Sequence, residues 1–443
     1  MTKRSFGALA AVVLVAASCG GDDASSTPVE TSSAGTAAAD VTTADSTQSD
    51  DGGAAAGGTA TVGAILSETG IYSTLGPPER QAIDMGLAAL NVDGFEVDGQ
   101  TYTMEVTYAD DKSDAATSGV TAWRQMVEAD EVPVIAFGLG SSLYAPLLER
   151  TPLPMINILD STYPSVLDYN DNIFLIRGAS PTYVPGCVNY AKEVLGVTKM
   201  AVITSVGEPY GDGLTQLVQQ AAEQQGVEVT GVAEYPIGAT DYGNAINEAV
   251  SGAPEAIYLS SVTSVILPVL KQLRQNGYTG PVFHSSGVNP DQAEAILGSD
   301  FNTIMADNYD CAGTLPTTSD NAATKQFAED YSSKYDEYPQ DLTMWAYDFP
   351  FIAAAAMTKA GSTTDRAAIT KALLELEVPE GTVSGWVPGD NGLMFTDRDA
   401  RTPSEITVWC SDKTTIASAM VFNVDADGNV IDIQLRDDAC AAA

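Results

Sequence analysis

The residues best placed to do chemistry are glycines and hydroxyl-bearing residues that recur directly after predicted strands. Parallel sheets bind their ligands beyond the carboxyl ends of the strands. Small hydroxyl and glycine residues at those ends offer hydrogen bonds to a polar solute and do not form a catalytic set. The positions are Glu68-Thr69-Gly70, Asp110-Asp111, Gly138 to Ser142, Asp160-Ser161-Thr162, Tyr210-Gly211, Ser260-Ser261 and His284 to Gly287.

Gly140, Ser141 and Ser142 form the group with the clearest chemical meaning. Gly140 permits close approach of the backbone to a ligand, and the two serines open a predicted helix. The N–H groups and the dipole at a helix start favour a carboxylate or another polar oxygen. N-capping explains the serines equally well, so both interpretations stay open. The single histidine, His284, either contacts a ligand or is a hydrogen-bonded structural residue.

Enzymatic function is disfavoured because catalytic motifs are absent from the sequence. There is no G-x-S-x-G elbow and no Walker loop, and His284 would have to serve any Ser/His chemistry. The cysteine spacings fit no zinc pattern. Asp425 to Asn429 lacks the sixth glycine and the closing glutamate of a calcium loop, and we interpret it as a hairpin turn. We therefore expect no enzyme, no metal site and no cofactor.

The elements that must position these residues form two similar runs. Apolar strands alternate with amphipathic helices from Thr59 onward, and the alternation starts again after Arg177. This order predicts two α/β domains, each with a largely parallel sheet flanked by helices. A helical segment is expected around Phe327 to Ala360. The tail after it reads as β structure, with Asp427-Gly428 as a turn signal.

The first residues predict export and a lipid anchor. Lys3 and Arg4 precede an apolar run, Phe6 to Ala17. This run is too short to span a bilayer, since a spanning helix needs roughly 20 residues. Ala16-Ala17-Ser18-Cys19 resembles the bacterial lipobox, which makes 1–18 a signal peptide and Cys19 the lipidated residue. The alternative is an ordinary secretory signal with an incidental cysteine. We expect an extracytoplasmic protein held at the cell membrane.

A tether is predicted between the anchor and the folded part, over residues 19–58. Gly20 to Gly58 consists mainly of Ala, Gly, Ser, Thr and Asp, without an aromatic residue, Lys or Arg. Such a segment buries too little apolar surface to offset its ordering entropy. We interpret it as a solvated, extended connection.

Charge and cysteine content restrict the partners and the compartment. The net charge is −39, from 59 acidic and 20 basic residues, which argues against nucleic acid and anionic lipid as partners. The membrane is therefore contacted through the lipid alone, and we expect a monomer. With Cys19 lipidated, four cysteines are left for two disulfides in an oxidising compartment. A hairpin between Cys410 and Cys440 favours that pairing, and Cys187 with Cys311 follows by elimination.

The order of several signatures resembles a known family. They are "SETGIYSTLG", "ADDKSDAAT", "GLGSS", "INILDSTYP", "EPYGDGLTQ", "YPIGATDYGNAI" and "FIAAAAMTKAGS", which together cover nearly all of Gly63 to Asp397. The sequence is similar to type 1 periplasmic-binding proteins of the branched-chain amino acid class, which serve ABC importers. The resemblance implies two lobes joined by three crossings, near Arg177, Asn308 and Arg401. Lobe one is then 59–177 with 309–400, and lobe two is 178–308 with 401–443.

The resemblance also implies a site between the lobes. In amino acid binders of this family the residues matching Ser141 and Thr162 hold the carboxylate and amine of the ligand. The residue matching Asp160 offers a carbonyl to the amine, and a tyrosine matching Tyr210 closes over the ligand. Ser142 stands beside Ser141 at the same helix start.

Two positions depart from that pattern. Ser261 stands where the relatives have a tyrosine, and Ser286 stands where they have a glutamate. Since a buried ammonium needs an anionic partner, the sequence favours a bulkier or uncharged-amine solute over leucine, isoleucine and valine. The carboxylate of Asp160 could replace the missing charge if it points into the cleft.

The function predicted is capture of a small polar solute, such as an amino acid, amide or small organic acid, for delivery to an ABC permease. The alternative is a ligand-sensing receptor lipoprotein without a permease. Genes for a permease and an ATPase beside this one would distinguish the two.

Overall fold

The computed structural model describes residues 55–138, 149–157, 166–207, 209–410, 415–425, 427–436 and 439–442. The predicted signal peptide, Cys19 and most of the predicted tether lie outside these ranges. The predicted ligand residues Ser141, Ser142, Asp160 and Thr162 also lie outside them.

The strands of the described residues form two mixed sheets of eight strands each. Their bounds, in chain order, are β1 Ala55–Leu66, β2 Phe95–Val97, β3 Gln100–Asp110, β4 Ile135–Phe137, β5 Met155–Asn157, β6 Ile173–Leu175, β7 Lys199–Val206, β8 Glu228–Pro236, β9 Ala256–Ser260, β10 Val282–His284, β11 Asn308–Gly313, β12 Phe395–Thr396, β13 Asp399–Ala400, β14 Ser404–Cys410, β15 Thr415–Val424 and β16 Val430–Leu435.

Each sheet combines a run of parallel strands with antiparallel strands, at both edges of the first sheet and at one edge of the second. The first sheet runs β12-β13-β6-β5-β4-β1-β3-β2, with parallel pairs from β13 to β3. The second runs β16-β15-β14-β11-β10-β9-β7-β8, parallel from β11 to β8 and antiparallel from β11 to β16. The two predicted α/β units with largely parallel sheets are confirmed.

Helices flank both sheets. The α-helices of the described residues are α1 Gly76–Leu90, α2 Val120–Arg124, α3 Val184–Glu193, α4 Pro209–Gln225, α5 Gly243–Ser251, α6 Thr263–Gln275, α7 Pro290–Leu297, α8 Phe301–Met305, α9 Ala322–Tyr335, α10 Asp341–Ala360, α11 Arg366–Leu374 and α12 Ala439–Ala442. Wider π-helical turns, Ala115–Gly119 and Gln125–Ala129, extend α2 at both ends. Short 3₁₀ turns occupy Val166–Asp168, Ser180–Thr182, Gly298–Asp300 and Asp390–Gly392.

Apolar residues of the central strands form the cores. In β9 all five residues are buried, as expected for a parallel strand covered on both faces. Helix α10 packs against the first sheet beside α1, and its buried Trp345, Phe349 and Ile352 belong to the same core as Val62. The predicted helical segment from Phe327 to Ala360 corresponds to α9 and α10. No helix among the described residues is both long and apolar enough to cross a membrane.

The chain passes between the sheets three times. It leaves the first sheet after β6, returns to it after β11, and leaves again between β13 and β14. The second crossing follows Gly313, later than the predicted position near Asn308, because β11 pairs with β10 and β14 in the second sheet. We call the first sheet with its helices lobe one and the second sheet with its helices lobe two.

The predicted tether, 19–58, also ends earlier than Gly58. Strand β1 begins at Ala55, where it pairs with Gln100 of β3. The pairing of two main chains orders this segment although its composition carries little apolar surface.

Two disulfides stabilise lobe two, with the pairings that the sequence analysis gave. Cys187 of α3 is bonded to Cys311 of β11, with a Cα–Cα distance of 5.8 Å. Cys410 at the end of β14 is bonded to Cys440 of α12, with a Cα–Cα distance of 5.3 Å. The first bond lies in the core and the second attaches the last helix to the sheet.

Candidate functional site

The lobe-two side of the candidate site is built at the carboxyl ends of β9 and β10. The hydroxyl of Ser286 donates to the carbonyl of Ser261 at 2.7 Å, and Thr263 donates to the carbonyl of Ser286. These bonds join the two loops that follow neighbouring strands. Both predicted departures, Ser261 and Ser286, therefore lie side by side.

Two tyrosines support this loop from within lobe two. The hydroxyl of Tyr210, near the start of α4, donates to the carbonyl of Ser285. The hydroxyl of Tyr258 and the Ser285 hydroxyl lie 2.6 Å apart in a hydrogen bond. Burial raises the pKa of both tyrosines, so both hydroxyls keep their protons at neutral pH. Tyr210, Ser261 and Ser286 are thus brought together as the sequence analysis requires.

A buried ion pair lies at the first crossing, beside the candidate site. Nη2 of Arg177 lies 3.2 Å from Oδ2 of Asp341, and their side chains are 7% and 4% exposed. The guanidinium carbon lies 5.4 Å from the ring centre of Trp345 and 5.8 Å from that of Tyr183. Burial lowers the pKa of Arg177, but the Asp341 carboxylate reverses this and raises it overall. Arg177 therefore stays charged.

The two lobes touch beside this ion pair. Gly287, which follows β10, has a φ of +60°, and a Cβ built there would lie 3.0 Å from Oδ1 of Asp341. The backbone N–H of Tyr338 donates to Oδ2 of Asp291 on α7 at 3.1 Å. Asp341 and Tyr338 belong to the α9–α10 region of lobe one, so these contacts cross between the lobes. We call the surface formed by Gly287, Asp291, Tyr338 and Asp341 the seam.

Glu79 of α1 packs against Gly138, the residue that follows β4 in lobe one. A Cβ added at Gly138 would lie 2.2 Å from Oε2 of Glu79, so the carboxyl group sits directly against the first residue of "GLGSS". Burial raises the pKa of Glu79 well above its ordinary value, and the nearby Asp111 carboxylate raises it further. Burial therefore disfavours the charged form of this carboxyl group.

The predicted acidic pair Asp110-Asp111 organises the loop after β1. Oδ1 of Asp111 accepts from the Ser67 hydroxyl at 2.7 Å and from the Ser113 N–H at 2.8 Å. Asp110 accepts the N–H groups of Glu68 and Thr69. Both carboxylates thus serve as turn acceptors at the edge of lobe one.

His284 lies inside lobe two. Its side chain is 0% exposed, its Nδ1 lies 3.3 Å from Oδ1 of Asp310, and its Nε2 lies 2.8 Å from Nδ2 of Asn308. Of the two interpretations given for His284, this burial favours the hydrogen-bonded structural residue. Asp310 was missed by the sequence analysis; the available signal was a single acid within the otherwise uncharged strand "NYDCAG".

No group of three or more potential metal ligands occurs among the described His, Cys, Asp and Glu residues. The described groups can bind a polar solute. The site presents hydroxyl and carbonyl groups from lobe two and a fixed guanidinium–carboxylate pair from lobe one. Its groups are already joined to one another by hydrogen bonds, an arrangement that positions a ligand.

Comparison with known proteins gives one family and a consistent fold. A family model described as "Periplasmic binding protein" matches residues 59–429. The chain is 24% identical over 340 residues to Leu/Ile/Val-binding protein homolog 3 of Brucella melitensis, covering 74% of this chain and 88% of that protein.

Solved structures share this architecture. The leucine binding protein LivK of Thermotoga maritima superposes with a TM-score of 0.71 at 22% identity, covering 84% of this chain and 100% of that one. The branched-chain amino acid transporter substrate binding protein LivJ of Streptococcus pneumoniae, in complex with isoleucine, gives a TM-score of 0.67 at 18% identity, covering 85% and 99%.

Proposed function

Because the chain belongs to the periplasmic binding protein family, we propose that it captures a small polar solute between its two lobes and delivers it to an ABC importer. The observation that supports this most is the convergence of Tyr210, Ser286 and the Arg177–Asp341 pair where the lobes meet. Hinge-type binding proteins close over a ligand in this manner. An amino acid, an amide or a small organic acid fits the polarity of the site.

The related proteins support an amino acid or a close analogue as the solute. The relative from Brucella is named as a Leu/Ile/Val-binding protein homolog, and the Streptococcus structure holds isoleucine. Ser261 and Ser286 make the lobe-two side of the site small and hydroxyl-lined, which favours a solute with more polar surface than these. Ser141, Ser142, Asp160 and Thr162 complete the proposed site from lobe one.

We further propose that the protein works outside the cytoplasm as a monomer, held at the membrane by a lipid on Cys19. The run of small residues before Cys19 and the polar segment after it support this arrangement. The signal peptide is then 1–18, followed by a tether that ends before β1. No enzymatic step is assigned, since the proposed site residues only bind and orient.

Calorimetry with wild type and with Ser141→Ala and Thr162→Ala tests capture. A thermal-shift screen of amino acids, amides, urea-like compounds and small aromatic acids supplies the titrant. Each substitution leaves a polar ligand atom unpartnered, at a cost of about 1–3 kcal/mol, or roughly ten- to a hundredfold in affinity. Ser299→Ala, at an exposed position beyond α7, is the control and should bind normally. Unchanged affinity in both site variants would move the site elsewhere.

Delivery is tested separately by searching the neighbouring genes for an ABC permease and reconstituting any such permease in proteoliposomes. Solute-loaded protein should stimulate ATP hydrolysis and solute uptake. Tight solute binding without an associated permease would instead support the sensory receptor.

A further inference from the structure

Asp310 places a carboxylate directly beneath Ser286. Its Oδ1 accepts the backbone N–H of Ser286 at 3.2 Å. Its Oδ2 is buried and has no hydrogen-bond partner among the residues that the structure describes. The side chain is 10% exposed. A buried carboxylate oxygen without a partner is costly, so its presence calls for a group that is absent from the free protein.

The histidine beside Asp310 does not engage the second oxygen of its carboxylate. Nδ1 of His284 lies 3.3 Å from Oδ1 of Asp310, and Nε2 lies 2.8 Å from Nδ2 of Asn308. His284 therefore helps to fix the Asp310 side chain and leaves Oδ2 without a hydrogen-bond partner among the described residues.

The nearby guanidinium is already paired. Arg177 bonds Asp341 at 3.2 Å, and the charge of Asp310 acts on both members of this pair. Asp310 accepts the N–H of Ser286, and the next residue, Gly287, contacts Asp341 at the seam, so Asp310 lies close to the region where the lobes meet. Together, Asp310 and Asp341 carry two negative charges against the single positive charge of Arg177, and this surplus favours a cation between the lobes.

A second unused acceptor lies next to this surplus. The hydroxyl oxygen of Ser261 is buried and has no hydrogen-bond partner among the described residues. The Ser261 carbonyl holds the Ser286 side chain, so the hydroxyl of Ser261 belongs to the same small loop pair as the N–H that Asp310 accepts. An ammonium carries three donors and can use several such acceptors at once.

We propose that Asp310 is the anionic partner of a cationic group on the captured solute, so that the protein selects solutes bearing an ammonium over neutral or purely acidic ones. This rests on the proposed function and narrows its solute class. It also reverses the preference for an uncharged amine that Ser286 alone suggested, because the charge comes from the neighbouring strand β11 instead of from the loop.

Matched solutes provide the test. Leucine is compared with 4-methylpentanoate, and phenylalanine with 3-phenylpropanoate, so that each pair differs by the amine. We expect the amine-bearing member to bind at least tenfold tighter to wild type. Asp310→Asn should remove that difference by weakening the amine-bearing member alone, and Asp310→Glu should retain part of it. Asp300 is an exposed acid of lobe two, so Asp300→Asn should change the affinity for neither member of a pair.

Folding effects are separated from charge recognition by the des-amino members and by the unliganded protein. If Asp310→Asn keeps the melting temperature of wild type and still loses both members of a pair equally, the proposal is overturned. We expect its unliganded melting temperature to equal or exceed that of wild type, because an unpartnered buried charge is removed. A lowered melting temperature with unchanged selectivity would assign Asp310 to structure alone.

The same experiment distinguishes failure of this inference from failure of the proposed function. If screened hits bind tightly but carry no cationic group, solute capture stands and the role of Asp310 is refuted. If no compound of the wider screen binds, solute capture itself is contradicted, and the inference fails with it.

Discussion

Arg177 and Asp341 form an ion pair that joins the first crossing to the start of α10, although 164 residues separate them in the sequence. Trp345, one turn further along α10, lies against the same guanidinium. Removing one member of a buried pair leaves the other charge uncompensated, which is strongly destabilising. The pair therefore acts on both the stability of lobe one and the position of the crossing.

Asp341→Asn should lower the free energy of unfolding by about 3–5 kcal/mol, measured by urea denaturation. Asp320→Asn is the matched control, because its pair with Arg436 is exposed, at 68% for the Asp320 side chain. That change should cost about 0–1 kcal/mol. Equal effects of the two substitutions would show that burial does not set the strength of the Arg177 pair.

Asp348 should make stability depend on pH in a direction opposite to that of an ordinary paired carboxylate. It is buried in α10 and accepts the N–H groups of Val383 and Ser384 and the indole N–H of Trp386. Burial nevertheless raises its pKa from 3.8 to about 7. The folded state therefore holds the proton more tightly than the unfolded state between those values.

The stabilisation from the Asp348 proton is complete below about pH 4 and is lost as the pH rises through about 7. As the pH rises across that range, the free energy of unfolding of wild type should fall, relative to that of Asp348→Asn, by up to about 1.4 kcal/mol per pH unit. Urea unfolding of both proteins at several pH values checks this. A stability difference that stays constant with pH, or grows in favour of wild type, would contradict it.

The two disulfides should differ in their resistance to reduction. Cys187 and Cys311 are both 0% exposed, whereas Cys440 is half-buried on the short helix α12. Under native conditions dithiothreitol should open the Cys410–Cys440 bond first, as detected by alkylation and mass spectrometry. Cys187→Ala/Cys311→Ala should lower the free energy of unfolding more than removal of the Cys410–Cys440 bond. The Cys187–Cys311 bond closes a loop of 124 residues, and the Cys410–Cys440 bond closes one of 30. The chain-entropy estimate is about 5 kcal/mol for the longer loop and about 4 kcal/mol for the shorter one. Simultaneous reduction of both bonds would refute the order.

The site residues that follow buried strands could be predicted from the sequence, whereas the ion pairs between residues far apart in the sequence could not. Tyr210, Ser261 and Ser286 follow buried strands, and parallel topology brings strand ends to one edge of a sheet. The partnership of Arg177 with Asp341 depends on how α10 packs against the crossing, and no local pattern encodes that. Asp310 was overlooked for a related reason: the one acid of the strand "NYDCAG" was a visible signal, but its burial and its unused oxygen depend on packing within lobe two.

Anchoring by lipid remains a prediction from the residues around Cys19. Cys19→Ala should leave the precursor uncleaved or release the protein from the membrane, since the lipid is the expected attachment. Fractionation of cells with immunodetection, together with the mass of the mature N-terminus, measures this. Ser18→Ala keeps the cysteine and a small residue before it, and should remain anchored. A Cys19→Ala protein that is normally processed and still membrane-bound would refute the lipoprotein assignment.

Gly287 should control closure of the lobes, because it has both a left-handed backbone and no space for a side chain at the seam. An alanine there would place Cβ 3.0 Å from Asp341 of the opposite lobe at a φ of +60°. Gly361→Ala is a close control, since Gly361 has a left-handed φ of +65° with nothing within 4 Å of its added Cβ. Both changes should cost about 1–2 kcal/mol of stability from backbone strain.

Only Gly287→Ala should in addition weaken solute binding, because the added methyl group opposes the closed arrangement that the bound solute stabilises. Small-angle scattering with saturating solute should then show less compaction for Gly287→Ala than for Gly361→Ala. If both variants bind and compact alike, the contact between Gly287 and Asp341 does not belong to the closing motion.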